Sequence, residues 1–374
     1  MRLLSPLLFL LCCSLAIAQG VPQPPTVAAR AWLLLDYGSG LNLASVNPDL
    51  RVEPASLTKL MTAYVSFSAL KSGKIQAKQN VSVSERAWKS PGSRMFIEPR
   101  LAVSVEDLLR GMIVQSGNDA CIALAELVAG SEEAFVQQMN SEAQRMGLTN
   151  THFVNATGLP DPQHYSTAND LGHLTLALIR DFPEFYTLYS LKEFRYNGIT
   201  QPNRNRLLWL DPSVDGVKTG HTEGAGFCLI SSAKRGPRRL LSVVLGTESD
   251  SARAQESQKL LNFGFQNYDA VKLYDARQPI AQLRVFKGAE NSVGAGFAED
   301  LLISVPRGQS AQLKVQLIPR QPLLAPLVLG SQVATLKLSL GDKAYGEFGV
   351  QALAEVPEAG FFGRLWDAFL LLFQ

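Results

Sequence analysis

An α+β fold is what this sequence predicts: an antiparallel sheet covered by helices, followed by a small β-sandwich and a C-terminal amphipathic helix. Three observations carry the prediction. Apolar runs of strand length stand at 31–36, 226–231 and 240–245. Longer apolar stretches of helical length fill the space between the first run and the others. Beyond about residue 271 the apolar period falls to two, as in Leu313, Val315 and Leu317, or Leu336, Leu338 and Leu340.

The elements follow in order. Residues 31–36 read as a buried strand, 37–40 as a turn through Gly38 and Gly40, and 41–45 as the returning strand. Pro54, Ala55 and Ser56 then lead into a long apolar run that reads as a buried helix. Residues 72–99 are polar, with Gly and Pro scattered through them, and are expected to make a long surface excursion. Helices are predicted over 105–113, 119–128, 132–146 (closed by Gly147) and 168–179, and the last over 251–263. Residues 214–220 lead into a strand, 226–231 form the next, 234–238 turn, and 240–245 return.

Four segments result: a leader over 1–18, a catalytic domain over 19–270, a β-rich domain over 271–354 and a helix over 355–374. The leader has Arg2, an apolar stretch and an Ala16-Ile17-Ala18 cleavage site, so export is expected. Cys12 and Cys13 would leave with it. Cys121 and Cys228 remain; both lie in apolar runs and read as buried thiols, although an exported pair could bridge. In the last segment Phe361, Phe362, Leu365, Trp366, Phe369, Leu370, Leu372 and Phe373 fall on one half of a helix. It is too short to span a bilayer and fits a helix lying in a membrane interface, with docking on the protein's own core as the alternative.

The chain has 374 residues, is 46% apolar and carries a net charge of +2, which supports large cores and argues against a nucleic-acid partner. His152, His164, His173 and His221 form no ligand set with the cysteines, so neither metal nor cofactor is expected.

The chemistry is expected in three short words. Ser56 and Lys59 lie three apart and would share a helix face, placing a hydroxyl beside an amine. A lysine kept neutral by burial or by a second cation could take the serine proton. The spacing alone says little, since it recurs at Ser68/Lys71 and Ser231/Lys234. Its company says more: Ser116-Gly117-Asn118 and Lys218-Thr219-Gly220 follow, and the three words together are a signature of penicillin-recognising serine enzymes.

With Arg204-Asn205, Leu207-Leu208-Trp209 and the stretch from Val214 to Thr222 added, nearly the whole chain resembles the low-molecular-mass penicillin-binding proteins. These are D-alanyl-D-alanine carboxypeptidases of the penicillin-binding protein 5/6 type, in serine peptidase family S11. The resemblance implies a β-lactamase/transpeptidase-like catalytic domain and removal of the terminal D-alanine from peptidoglycan stem pentapeptides. Ser56 would be the nucleophile and Lys59 its base. Ser116 would relay a proton to the leaving amine, and Asn118 would steer the substrate amide and Lys59. Lys218 would supply positive charge and hold Ser116; Thr219 and Gly220 would border the substrate. The backbone N–H groups of Ser56 and His221 would form the oxyanion hole. Arg204 and Arg253, the latter on an exposed-looking helix, would meet the substrate carboxylate, which suits a planar guanidinium. β-Lactams would acylate Ser56. The implied address is the periplasm, on the outer face of the inner membrane, held by the C-terminal helix.

Ser-Gly-Asn departs from the Ser-Asp-Asn of β-lactamases, and the helical region holds no glutamate-x-x-x-asparagine element to activate a deacylating water. Both departures argue against fast β-lactam turnover. The competing readings are a β-lactamase, a D,D-endopeptidase that would use the same residues, and a non-catalytic envelope scaffold.

Overall fold

A computed structural model describes residues 22–373. The expected leader and its two cysteines lie outside the described residues. Five strands build the first sheet: β1 (Ala31–Asp36), β2 (Asn42–Val46), β3 (Val214–Thr222), β4 (Gly226–Arg235) and β5 (Arg238–Thr247). Their order is β2-β1-β5-β4-β3, antiparallel throughout. The run in β1 is continuously apolar because both faces are covered. Leu33 and Leu35 face the core shared with the helical region, while Trp32 and Leu34 pack with Leu260 and Leu261 on the other side.

Those last two residues belong to α6 (Asp250–Asn267); the helices before it are α1 (Lys59–Lys71), α2 (Val105–Arg110), α3 (Asn118–Ala129), α4 (Glu132–Arg145) and α5 (Ala168–Asp181). Helix α1 is buried on nearly every side, which its apolar sequence permits and a surface helix would not. Serine or threonine side chains cap the starts of α2, α4, α5 and α6, each accepting the backbone N–H three residues on.

Two expectations need correction. Residues 72–99 are not a purely surface excursion: Ala87, Met95 and Ile97 are buried, and a short helix covers Glu85–Trp88. Met95 lies over Gly111, where any added Cβ would strike its sulfur. The helix expected over 105–113 ends as α-helix at Arg110 and widens into a π-helical turn, Gly111–Gln115. Such turns recur at functional sites, and this one delivers Ser116.

The second domain begins where α6 ends. Its strands are β6 (Tyr268–Tyr274), β7 (Pro279–Phe286), β8 (Ser292–Gly296), β9 (Leu301–Pro306), β10 (Leu313–Pro319), β11 (Leu323–Leu324), β12 (Gln332–Leu340) and β13 (Lys343–Ala352). A six-stranded sheet, β10-β12-β13-β8-β7-β11, encloses an aliphatic core with the β6–β9 ribbon. Position 270/271, the boundary expected from sequence, falls inside β6. The domains meet at Asp36, whose buried carboxylate accepts the Ser304 hydroxyl, and at Tyr268, whose hydroxyl donates to the Leu43 carbonyl at 2.8 Å.

The chain then enters α7 (Phe361–Leu370). Phe361, Phe362, Leu365, Trp366 and Phe369 lie in solvent rather than on the core. Among the described residues no helix is long and apolar enough to cross a membrane.

Candidate active site

Ser56 sits in a tight 3-10 turn, Ala55–Thr58, at the head of α1. Ala55 enters that turn with φ +47°, a left-handed conformation that L-residues seldom adopt. Two neighbouring backbones close on the turn. Gly158 approaches so nearly that a Cβ there would stand 1.8 Å from the Ala55 carbonyl oxygen. Gly220, on β3, would place a Cβ 3.1 Å from the Pro54 oxygen and 3.3 Å from Leu57. Gly220 therefore lets the strand lie flat against the serine turn.

Lys59 is fully buried, and its Nζ has three partners: Ser56 Oγ at 3.0 Å, Asn118 Oδ1 at 2.7 Å and the Thr157 carbonyl at 2.6 Å. The last two can only accept. A neutral amine satisfies both with its two protons and turns its lone pair toward the serine hydroxyl. Asn118 is oriented for this by donating its own Nδ2 proton to the Pro91 carbonyl at 2.7 Å.

Burial lowers the Lys59 pKa to about 8. Both causes expected of this shift, burial and a second cation, act here. Burial comes first, Arg204 assists, and Asp119 opposes. Cys121 also acts against the shift, but its own pKa is pushed up to about 12 by burial, which leaves the thiol uncharged at neutral pH.

Lys218 is buried too, and burial together with Lys59 pushes its pKa well below the ordinary lysine value. Its Nζ donates to the Thr219 carbonyl at 3.0 Å. It does not hold Ser116 as expected: the buried Ser116 hydroxyl has no hydrogen-bond partner. Ser116 leaves the π-turn in the left-handed region, φ +67°. The buried hydroxyls of Ser90, Ser231, Ser242 and Ser257 also lack a partner, so it is the place of Ser116 at the cleft, not the missing partner, that singles it out.

Several residues that sequence reasoning passed over hold this arrangement. Asn155 accepts the N–H groups of Thr157, Gly158 and Leu159 at 3.1, 2.7 and 3.2 Å and so aims the Thr157 carbonyl. Glu132 accepts the Ala156 N–H at 3.0 Å. His164 accepts the Val154 N–H on Nδ1, so its Nε2 carries the proton and donates to Thr58 at 2.8 Å. Asp119 is buried and accepts from Met95, Phe96 and Ile97 N–H, fixing the segment whose Ser93 lines the cleft.

The cleft outside Ser56 encloses about 700 Å³. Ser116, Thr219, Gly220 and His221 line it, and three arginines bound it: Arg204, Arg206 and Arg253. Arg204 is exposed to it. Arg253 is not on an exposed face as the sequence suggested; it is buried, donates to the Gly220 carbonyl at 3.2 Å and lies over the Phe227 ring. His221 packs on the same ring, centroids 4.0 Å apart. Cys121 and Cys228 are both buried and free. Among the described residues no cluster of His, Cys, Asp or Glu could hold a metal.

Comparison with known proteins agrees with this layout. Residues 18–249 match the family described as D-alanyl-D-alanine carboxypeptidase, peptidase S11, and residues 268–358 match the penicillin-binding protein 5 C-terminal domain. The D-alanyl-D-alanine carboxypeptidase DacC of Escherichia coli K12 is 45% identical, over 99% of this chain and 94% of its own. The crystal structure of penicillin binding protein 5 from Haemophilus influenzae superposes with TM-score 0.80 at 42% identity, covering 90% of this chain and 100% of that one. Penicillin-binding protein D2 of Listeria monocytogenes, solved in an ampicillin-bound form, matches 65% of this chain and 100% of its own at 30% identity, TM-score 0.60.

Proposed function

The chain belongs to the D-alanyl-D-alanine carboxypeptidase family of serine peptidases, and on that premise we propose that it removes the terminal D-alanine of peptidoglycan stem pentapeptides through an ester on Ser56. The observation that carries the proposal is the amine of Lys59, with two acceptors committed and one direction open, toward Oγ at 3.0 Å. Lys59 takes the hydroxyl proton as Oγ attacks the carbonyl between the two D-alanines. The tetrahedral oxyanion lies against the N–H groups of Ser56 and His221. When the C–N bond breaks, the leaving amine receives a proton through Ser116, and D-alanine departs. Water then attacks the ester; Lys59 takes its proton and returns it to Oγ as the C–O bond breaks, which restores Ser56 and frees the shortened peptide as its carboxylate. Arg204 and Arg253 receive the substrate's terminal carboxylate, with Lys218 adding positive charge and Thr219 binding the peptide.

A β-lactam follows the first half of this path and leaves an ester whose ring-opened amine stays tethered. No glutamate in the Asn155–Leu159 loop activates water, which supports slow release. The exposed aromatic face of α7 supports an interfacial contact with the outer leaflet of the inner membrane, and so a periplasmic address. The test is mass spectrometry of products from a stem pentapeptide. Tetrapeptide plus free D-alanine is expected, with none from Ser56→Ala; a pentapeptide left intact by the wild type overturns the reading.

A further inference from the structure

Among the described residues that line the cleft, Asp250 is the one acid, and it stands among three arginines. Its carboxylate pairs with Arg253 through Oδ1 and reaches Arg206 at 3.5 Å through Oδ2. It also acts electrostatically on Arg204. An acid placed where a carboxylate ligand is to bind weakens that binding, because like charges compete for the same cations.

Helix geometry does not by itself explain Asp250. The residue opens α6, where a negative charge suits the helix dipole. Yet the cap is Ser249, which accepts the Ala252 N–H. Nor does Arg253 depend on Asp250 for its position, since the Gly220 carbonyl and the Phe227 ring hold it independently. What Asp250 alone supplies is charge, at the mouth of the cleft and partly open to solvent.

We propose that Asp250 is a specificity-determining residue that weakens the cleft's grip on an anionic peptide terminus, so that the amino acid released, which keeps that carboxylate, does not remain bound. This rests on the carboxypeptidase reading above. Asp250 competes for Arg206 and Arg253 while the cleft is empty. An arriving carboxylate takes over part of that pairing, and Asp250 takes it back when the product leaves. Replacing the charge by an isosteric amide keeps the shape and an acceptor oxygen and removes the negative charge, and with it the ion pairs to Arg206 and Arg253.

Binding is read by calorimetry on the Ser56→Ala protein, where nothing turns over. The probes are a stem peptide ending in D-alanyl-D-alanine and the same peptide amidated at its C-terminus. Adding Asp250→Asn is expected to tighten the free acid about tenfold at low ionic strength, leave the amide unchanged and steepen the salt dependence. Free D-alanine should become a stronger inhibitor of the active Asp250→Asn enzyme by a similar factor. Equal changes in both peptides, no change, weaker binding of the acid, or no binding of either peptide overturns the inference. Asp250→Ser repeats the comparison if the amide variant does not fold. A wild type that releases no D-alanine while Asp250→Asn still tightens the free acid would sink the carboxypeptidase reading, and with it the role in product release, and leave only the weakened grip on an anionic peptide terminus.

Discussion

The two domains bury different things. In the catalytic domain Lys59, Lys218, Asp119, Arg253 and Glu132 are all buried beside the aliphatic core. From residue 268 onward the buried polar side chains among the described residues are Ser304 and Gln309. Buried charge costs several kcal/mol per ion unless it is paired or neutralised. A sheet with an aliphatic interior gains stability without that expense, and it has no reactive group to offer. Part of that cost in the first domain falls at the seam between the serine turn, the π-turn and β3, where an acyl transfer needs low dielectric and fixed donors; Asp36 and Asp170 are buried away from it.

Mutation can sharpen or break this comparison. The largest effect belongs to the seam: Ser56→Ala should lower D-alanine release by at least about 10³-fold with little change in melting temperature, measured on a pentapeptide beside a thermal scan. If the rate falls only a few-fold, the seam is not the engine. The pH dependence comes next. Only the unprotonated Lys59 accepts a proton, and burial puts its pKa at about 8. Thus kcat/KM should fall about tenfold per pH unit on the acid side of that value and level off above it. A flat profile between pH 6 and 8 would remove Lys59 as the base.

The β domain should respond in the opposite sense. Leu338→Ala, deep in its core, is expected to cost about 2–5 kcal/mol in urea unfolding and leave turnover on soluble peptide unchanged. Coupled loss of activity would mean that the domains do not divide their labour. Ser304→Ala, at the junction, is expected to cost about 1–3 kcal/mol because the buried Asp36 carboxylate loses the hydroxyl it accepts. Equilibrium denaturation followed by two probes, one per domain, reports whether that loss separates the two transitions.

Much of this was legible from residue order. The period-two runs of the β domain, the continuous strand β1 and the helices after Ser116 stand where apolar spacing put them. Ser56 and Lys59 converge as their spacing suggested, and Asn118 joins them as the family resemblance implied. What was hidden depends on groups that leave no mark in side-chain chemistry. The third partner of Lys59 is a main-chain carbonyl, from Thr157. The π-turn before Ser116 is one residue of extra winding in a run that reads as ordinary helix. Arg253 reads as exposed because its sequence neighbours are polar; its burial comes from Phe227, distant in sequence. Residues 72–99 read as surface because the short apolar runs Ala87-Trp88 and Met95-Phe96-Ile97 stand in a polar stretch, and runs that short set up no period.

The carbonyl of Thr157 has a consequence for timing. An amine that keeps two protons pinned, one on a side-chain amide and one on the main chain, can exchange a third along a single line. The proton arriving from serine in the first half of the cycle and the proton arriving from water in the second must travel that same line, in turn. Whatever acyl group hangs on the serine therefore shares the space through which that water must approach.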